Sequence, residues 1–231
     1  MSGLKDVNFA FDVLIIDDCS YDDISVEIKK FINTQKHSFN INLVKTKRNN
    51  GYAISVKIAF SIFINLTQCN NIIVLHGDGQ YDPKYIPNLL KCLIKDDRIA
   101  AATGSRTLNG FKSAKKGGMP FYKLIGNIIL TQIFNYLTSQ NFTDAHTGLW
   151  AYNLSYLKNK KFNYLTNSFN FDQEFRFRNI VKKKFIKEIP IKTKYGDERS
   201  QLHIKYAIKF FFNSLFFYFI KNKLIQLKKF D

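Results

Sequence analysis

The feature that most constrains this chain is the alternation of short apolar, β-rich runs with helix-length segments through its N-terminal half. Val13–Ile16, Ile41–Val44, Ile72–Leu75 and Ile99–Thr103 have the length and composition of buried strands. Between them, Asp22–Phe31, Tyr52–Leu66 and Pro83–Lys95 have helical length and spacing. Such alternation predicts an α/β domain around a largely parallel sheet with helices on both faces. In sheets of that kind ligands bind at the carboxyl ends of the strands.

The second half follows a different pattern. Thr107–Met119 is polar, basic and glycine-containing, which predicts a mobile loop. Pro120 suits the first turn of a helix running to about Leu137. Leu149–Tyr152 reads as a strand and Phe171–Lys183 as a helix. A further strand is expected at Phe185–Lys194, near a sheet edge because of Pro190. Tyr206–Ile220 is apolar and rich in Phe, but Lys209 and Asn213 interrupt it. A membrane-spanning helix needs roughly 20 mostly apolar residues. This stretch is shorter, and Lys205, Lys221, Lys223, Lys228 and Lys229 flank it. An interfacial, amphipathic membrane-surface helix is expected, with a helix packed on the core as the other reading.

Composition excludes several classes. With 231 residues, 45% hydrophobic and 23% charged, the chain supports one folded domain rather than disorder. Its three cysteines, Cys19, Cys69 and Cys92, form no CxxC pair. They suit neither a disulfide framework nor a zinc site, which points to a reducing cytoplasm. The N-terminus lacks the pattern of a signal peptide. A formal net charge of +17 would attract nucleotide diphosphates or anionic lipid headgroups, although an AT-rich genome also enriches lysine. No nucleic-acid-binding motif is present, and the aromatics sit in apolar runs, so nucleic acid is not an expected partner.

Four groups of residues carry possible chemistry. Asp17 and Asp18 follow the first strand, where they would bind hydroxyls of a ligand or cap the next helix. Asp78 lies in a turn between Gly77 and Gly79, and with Gln80 offers hard oxygen ligands for Mg²⁺ or Mn²⁺ shared with phosphates. A plain strand-to-helix turn is the alternative. Arg106 follows another strand end, as a phosphate-binding side chain or a solvated surface one. Lys115, Lys116 and Arg199 are further phosphate-binding candidates. Asp144, Asp172 and Glu174 are further candidate carboxylates, of a type that can act as a general base. For Asp172 and Glu174 the first turn of a helix, where acids favour the macrodipole, explains the residues equally well.

Taken in order, IIDDCSYDD, RNNGYAISVKIAF, HGDGQYDP, TGSR, TDAHTGLWAY, FDQEF and EIPIKTKYGDERS resemble the family 2 glycosyltransferases of the GT-A fold. The branch most similar is that of the dolichyl- or polyprenyl-phosphate sugar synthases. The resemblance covers about residues 12–200. It implies that Asp17, Asp18, Asn50, Gly51 and Arg106 bind the nucleotide-diphosphate sugar, and that an Asp-x-Asp-like motif binds the metal. Here that motif reads His76-Gly77-Asp78, so Asp78, Gln80 and His76 are the implied metal residues. It implies catalytic roles for Arg106 and for Asp144, Asp172 and Glu174, the last three on the acceptor side, where a sugar hydroxyl needs a general base.

The family's opening strand ends in a Pro-x-Tyr-Asn-Glu-like motif that supports the nucleotide base. Met1–Phe11 contains no such motif, so the domain is read as N-terminally truncated, with backbone groups unpaired near the middle of its sheet.

The expectation is therefore a GT-A domain over residues 1–200 and a basic, aromatic helix over residues 201–231. The implied reaction is inverting, metal-dependent transfer of a sugar to a lipid-phosphate or saccharide acceptor at the inner face of the cytoplasmic membrane. The other function considered is a catalytically impaired remnant that binds a membrane or a partner.

Overall fold

Each apolar run of the N-terminal half forms a strand, and each intervening segment forms a helix. The computed structural model describes residues 10–36, 38–66, 68–158, 161–195 and 204–226. Strand β1 (Val13–Asp17) leads through α1 (Ile24–Thr34) to β2 (Ile41–Lys45) and α2 (Tyr52–Leu66). Strand β3 (Asn71–Val74) is followed by a short 3₁₀ turn (Pro83–Tyr85), α3 (Ile86–Lys95) and β4 (Ile99–Ser105). The start of α3 is set locally. Asp82 accepts the Lys84 N–H at 3.0 Å, prolines occupy early helical positions, and Ile86, Leu89 and Leu93 bury one face.

The remaining elements are α4 (Phe111–Lys116), α5 (Phe121–Thr138), β5 (Trp150–Asn153), α6 (Phe171–Val181), β6 (Phe185–Pro190) and α7 (Ile204–Gln226). Pro120 sits at the N-cap of α5, close to its expected place. The predicted mobile loop over Thr107–Met119 is corrected: its middle is the helix α4. Lys and Ala there are good helix formers, Gly110 turns the chain in at φ +89°, and Gly117 ends the helix.

The α/β arrangement of sheets flanked by helices is as expected, but its strands fall into two sheets and are only partly parallel. Strands β1 and β2 form a parallel pair, with Val13 opposite Ile41. The other four strands form a separate sheet in the order β3-β5-β4-β6. Within it β5 runs antiparallel to both neighbours, and β4 and β6 are parallel. Pro190 closes β6, the edge strand, where its missing N–H breaks no ladder. Among the described residues no ladder joins β1 to β3, yet α2 packs against both strands. Tyr52, at the start of α2, lies 5.3 Å from the His76 ring just beyond β3. The neighbouring Gly51 N–H donates to Asp18 just beyond β1 at 2.6 Å. The carboxyl ends of β1 and β3 therefore both lie at the start of α2.

The core lies on both faces of the four-stranded sheet. Ala53, Val56 and Phe60 of α2 pack with Trp150, Tyr152, Phe171 and Phe175 on one face. Leu89 and Leu93 of α3 pack with Ala102, Leu149 and Ala151 on the other. A third cluster joins Leu130 and Phe134 of α5 to Phe177 of α6 and Tyr218 of α7. Thus α7 is packed on the domain by Tyr218 and Ser214, while Ile208, Phe212, Phe216 and Phe219 face outward. No helix among the described residues is long and apolar enough to cross a membrane.

Candidate active site

One large cleft, about 3400 Å³, runs past the carboxyl ends of β1 and β3 and is bounded by α2, the loop before β5 and the start of α6. It gathers Asp17, Asp18, His76, Asp78, Gln80, Arg106, Lys116 and Asp172. Asn50, Gly51, Lys115, Asp144 and Glu174 are not among its lining residues. Arg199, Lys228 and Lys229 lie outside the described residues, as do the side chains of Lys205, Lys221 and Lys223.

The two carboxylates after β1 order the backbone around them. Asp17 is buried and accepts the Ser20 N–H at 2.8 Å and the Ser25 hydroxyl, with Lys45 Nζ at 3.4 Å. The bonds from Ser20 and Ser25 hold its pKa well below the usual carboxylate range. Asp18 accepts the backbone N–H groups of Asn50, at 2.9 Å, and Gly51, together with the Thr46 hydroxyl at 2.9 Å. Burial disfavours its charge, but these bonds outweigh burial and lower its pKa. Asn50 and Gly51 therefore serve to fix Asp18 at the head of α2.

Beyond β3 the chain turns sharply, with Gly79 at φ +72° and the Gln80 N–H donated to Asp78 at 3.0 Å. The Asp78 carboxylate is exposed to the cleft. The His76 ring is different. It stands edge-on to Tyr52 and Tyr81 at 5.3 and 5.7 Å, and its Nε2 is buried without a hydrogen-bond partner among the described residues. Gly148 lies so close that a Cβ there would come within 2.6 Å of the imidazole. Burial lowers the pKa of His76. Its ring is part of the cleft wall. No cluster of three or more His, Cys, Asp or Glu suited to a metal occurs among the described residues. An exposed carboxylate in a glycine-flanked turn, with Gln80 beside it, still fits a hard cation whose other positions belong to phosphate oxygens and water.

Arg106 is buried rather than solvated, and its ties explain Asp144. The guanidinium donates to Asp144 Oδ2 and Oδ1 at 2.6 and 2.8 Å, to the Tyr195 hydroxyl at 2.9 Å and to the His146 carbonyl at 3.0 Å. Burial works against the Arg106 charge, but Asp144 overcomes it and raises the pKa well above normal. Burial likewise opposes ionisation of Asp144, and Arg106 holds that carboxyl below the usual range. Glu188, on β6, accepts the Thr143 and Asp144 N–H groups at 2.7 and 2.9 Å and so fixes the loop that carries the pair. The expected acceptor-side role of Asp144 is corrected on these grounds: fully buried and fully engaged, it holds Arg106 at the cleft wall.

Asp172 and Glu174 separate in the same way. Glu174 is fully buried away from the cleft, accepting the Thr166 N–H at 2.8 Å and pairing with Arg178 at 2.9 Å. Its expected acceptor-side role is therefore corrected to a structural one. Asp172 lines the cleft and accepts the hydroxyls of Tyr152 at 2.6 Å and Tyr52 at 2.9 Å. Burial pushes its pKa up to about 6, against the opposing pull of the two tyrosines. Next to it, Gln173 donates to His146 Nδ1 at 3.1 Å, and the Tyr218 hydroxyl of α7 lies 2.8 Å from His146 Nε2. Burial keeps His146 neutral, with a pKa of about 3.

Tyr52, Tyr152, Glu188, Tyr195 and Tyr218 were not identified from the sequence. A tyrosine or glutamate in an apolar run reads as core or surface, and only its partner, far away in the chain, gives it a role. Arg176 was also missed. It is fully buried one turn after Asp172, with its guanidinium 4.3 Å from the Phe142 ring centre and 4.8 Å from that of Trp150.

Comparison with known proteins bears on the family and the fold. The sequence profile of the family described as Glycosyl transferase family 2 matches residues 4–159. An uncharacterized protein of Methanocaldococcus jannaschii is 29% identical over 166 residues, covering 69% of this chain and 68% of that one. Glucosyl-3-phosphoglycerate synthase from Mycobacterium tuberculosis, solved in complex with UDP, shares the fold with a TM-score of 0.58 at 12% identity. That match covers 87% of this chain and 66% of the other, so the chain spans just under two thirds of the length of that synthase. The same synthase with Mn²⁺, UDP-glucose and glycerol 3-phosphate matches with a TM-score of 0.58 at 10% identity, over 94% of this chain and 72% of the other.

Proposed function

This chain belongs to glycosyltransferase family 2, and on that premise we propose that it transfers a sugar, with inversion, from a nucleotide-diphosphate donor to a hydroxyl-bearing acceptor. The observation that carries this reading is Asp172, a carboxylate at the cleft wall whose pKa of about 6 suits a general base near neutral pH. The acceptor O–H attacks the anomeric carbon opposite the diphosphate. Its proton passes to Asp172 as the bond to the departing diphosphate breaks. Tyr52 and Tyr152 hold the carboxylate in place, and Arg106, kept charged by Asp144, faces the developing negative charge. Asp78, with Gln80 beside it, is the residue that would hold Mg²⁺ or Mn²⁺. Such an ion neutralises diphosphate charge and helps the leaving group depart. The mycobacterial synthase, solved with Mn²⁺ and UDP-glucose, supports this type of donor and metal.

A base beside the cleft favours a saccharide or other hydroxyl acceptor over a lipid phosphate, which is already anionic. The expected membrane association is supported by two exposed apolar stripes at helical spacing. These are Phe121, Ile125 and Ile129 on α5, and Ile208, Phe212 and Phe216 on α7. With a net charge of +17, they suit peripheral attachment to the anionic inner face of the cytoplasmic membrane. Phe212→Ser with Phe216→Ser should then abolish flotation with phosphatidylglycerol vesicles. Equal flotation of the double variant would remove the membrane from this reading.

The test of transfer is paired. Asp172→Asn should lower transfer by about 10²- to 10⁴-fold while leaving Mn²⁺-dependent UDP binding in place. Asp78→Ala should lose that binding. Unchanged transfer in Asp172→Asn would overturn the base, and unchanged binding in Asp78→Ala would overturn the metal assignment. The alternative of a catalytically impaired binding module is motivated by the break between β1 and β3, and donor binding without turnover by the native chain would support it.

A further inference from the structure

We infer that Tyr218 of α7 is a positioning residue for the transfer site: its hydroxyl oxygen accepts the Nε2 proton of His146 and so fixes the loop of residues 143–149 behind Arg106 and Asp172. This role deepens the proposed transfer function and rests on it only where turnover is measured.

Gln173 sets the direction of the bonds. Its Nε2 donates to the Ala145 carbonyl at 3.1 Å, and a carbonyl can only accept, so nitrogen rather than oxygen faces this loop. The same Nε2 lies 3.1 Å from His146 Nδ1, which therefore accepts as well. Burial keeps the imidazole neutral, and the Arg176 and Arg106 charges act in the same sense, against Asp144. A neutral imidazole carries one proton. With Nδ1 accepting, that proton sits on Nε2, and the Tyr218 oxygen 2.8 Å away receives it.

The backbone of His146 carries this order into the site. Its carbonyl accepts from the Arg106 guanidinium at 3.0 Å, and its N–H donates to Asp144 Oδ1 at 3.2 Å. Gln173 directly follows Asp172 on α6. One hydroxyl, brought from 72 positions away, thus completes a chain of bonds that reaches both the buried guanidinium and the start of α6. A second tie lies one turn earlier on α7. The Ser214 hydroxyl donates to Asn170 Oδ1 at 3.0 Å, and Asn170 is the N-cap of α6, two residues before Asp172.

Ser214 and Tyr218 are fully buried, whereas Phe212, Phe216 and Phe219 on the same helix face outward. Packing alone does not call for these hydroxyls, because a buried polar group costs free energy unless it is bonded. Ala and Phe would fill the same space. The two hydroxyls therefore serve to place α7 against the loop and against α6. Asp78 and Gln80 lie in the turn after β3, so loss of the tie should fall on turnover and spare donor binding.

The test is Tyr218→Phe in the full chain. It removes one oxygen and keeps the ring, whose centre lies 5.4 Å from that of Phe134 and 5.7 Å from that of Phe177. Nitrogen-15 NMR of the 4 histidines, with His146 identified by His146→Gln, shows directly which ring nitrogen is protonated. Near neutral pH the native His146 should be protonated on Nε2 and not on Nδ1. Exchange of that ring proton with water should quicken on the order of tenfold in Tyr218→Phe. In the same variant kcat should fall about tenfold, while binding of UDP-glucose with Mn²⁺ should stay within about twofold. Phe219→Ser, the outward-facing neighbour on α7, should change none of these.

A native His146 protonated on Nδ1, or ring-proton exchange unchanged in Tyr218→Phe, would overturn the contact. An unchanged kcat, or donor binding weakened as much as kcat, would overturn the positioning role. The imidazole signals require no turnover, so a native chain without transfer would count against the proposed function and not against this contact.

Discussion

Strands β1 and β4 are both short and apolar, yet only β4 is buried from end to end. Val13 to Ile16 of β1 are all partly exposed despite being larger and more hydrophobic than Ala100 to Ala102 of β4, which are fully buried. The difference lies in neighbours. β4 has β5 on one side and β6 on the other, whereas among the described residues β1 has β2 alone. Burial of a strand is thus set by what pairs and packs around it, and hydrophobicity only makes that burial favourable. The residues of the candidate site divide along the same line. Those beside the four-stranded sheet, Arg106, Asp144 and Asp172, are locked by partners from several elements. Asp78 and Asp18 lie beside the break and face the open cleft.

The largest expected effect would test this contrast directly. Asp144→Ala leaves the Arg106 charge buried without its partner, which should cost about 3–5 kcal/mol in urea unfolding. Asp18→Ala, which removes a cap at the start of α2, should cost only about 1 kcal/mol. Equal costs would mean that both halves are equally rigid. Next, Leu149→Ala in the closed sheet should cost about 2–5 kcal/mol, while Ile15→Ala in β1 should cost about 1 kcal/mol because its side chain is already partly in water. An equal loss at Ile15 would show that β1 is as well buried in solution as β4.

The smallest effect concerns pH. Asp172 must be ionised to accept a proton, so kcat/KM should rise as the pH passes about 6. Tyr152 favours the charged form, so Tyr152→Phe should move that limb to higher pH by about one unit. A limb that stays in place would detach Asp172 from the rate. The stability linkage has opposite signs at the two kinds of site. Asp172 titrates above its unfolded value, so its ionisation weakens the fold as the pH climbs toward about 6. Asp17 and Asp144 titrate below theirs, so the stability they contribute is present near neutrality and is lost on acidification.

Much of the fold was legible in the sequence because its signals are local. The runs VLII and IIVL, the helix Tyr52–Leu66, the start of α5 after Pro120 and the edge position of Pro190 all follow from periodicity and from what proline and glycine permit. The order of motifs was enough to identify the family. What the sequence could not assign was which acidic residues are free to act. Asp144, Asp172 and Glu174 look alike in the chain. Only the folded arrangement ties Asp144 to Arg106 across 38 positions, Glu174 to its own helix, and Asp172 to Tyr52 across 120 positions. The physical reason is that strand and helix formation depend on neighbours a few residues apart. The charge state of a carboxylate depends on burial and on donors brought from distant parts of the chain, and these exist only once the tertiary structure has formed.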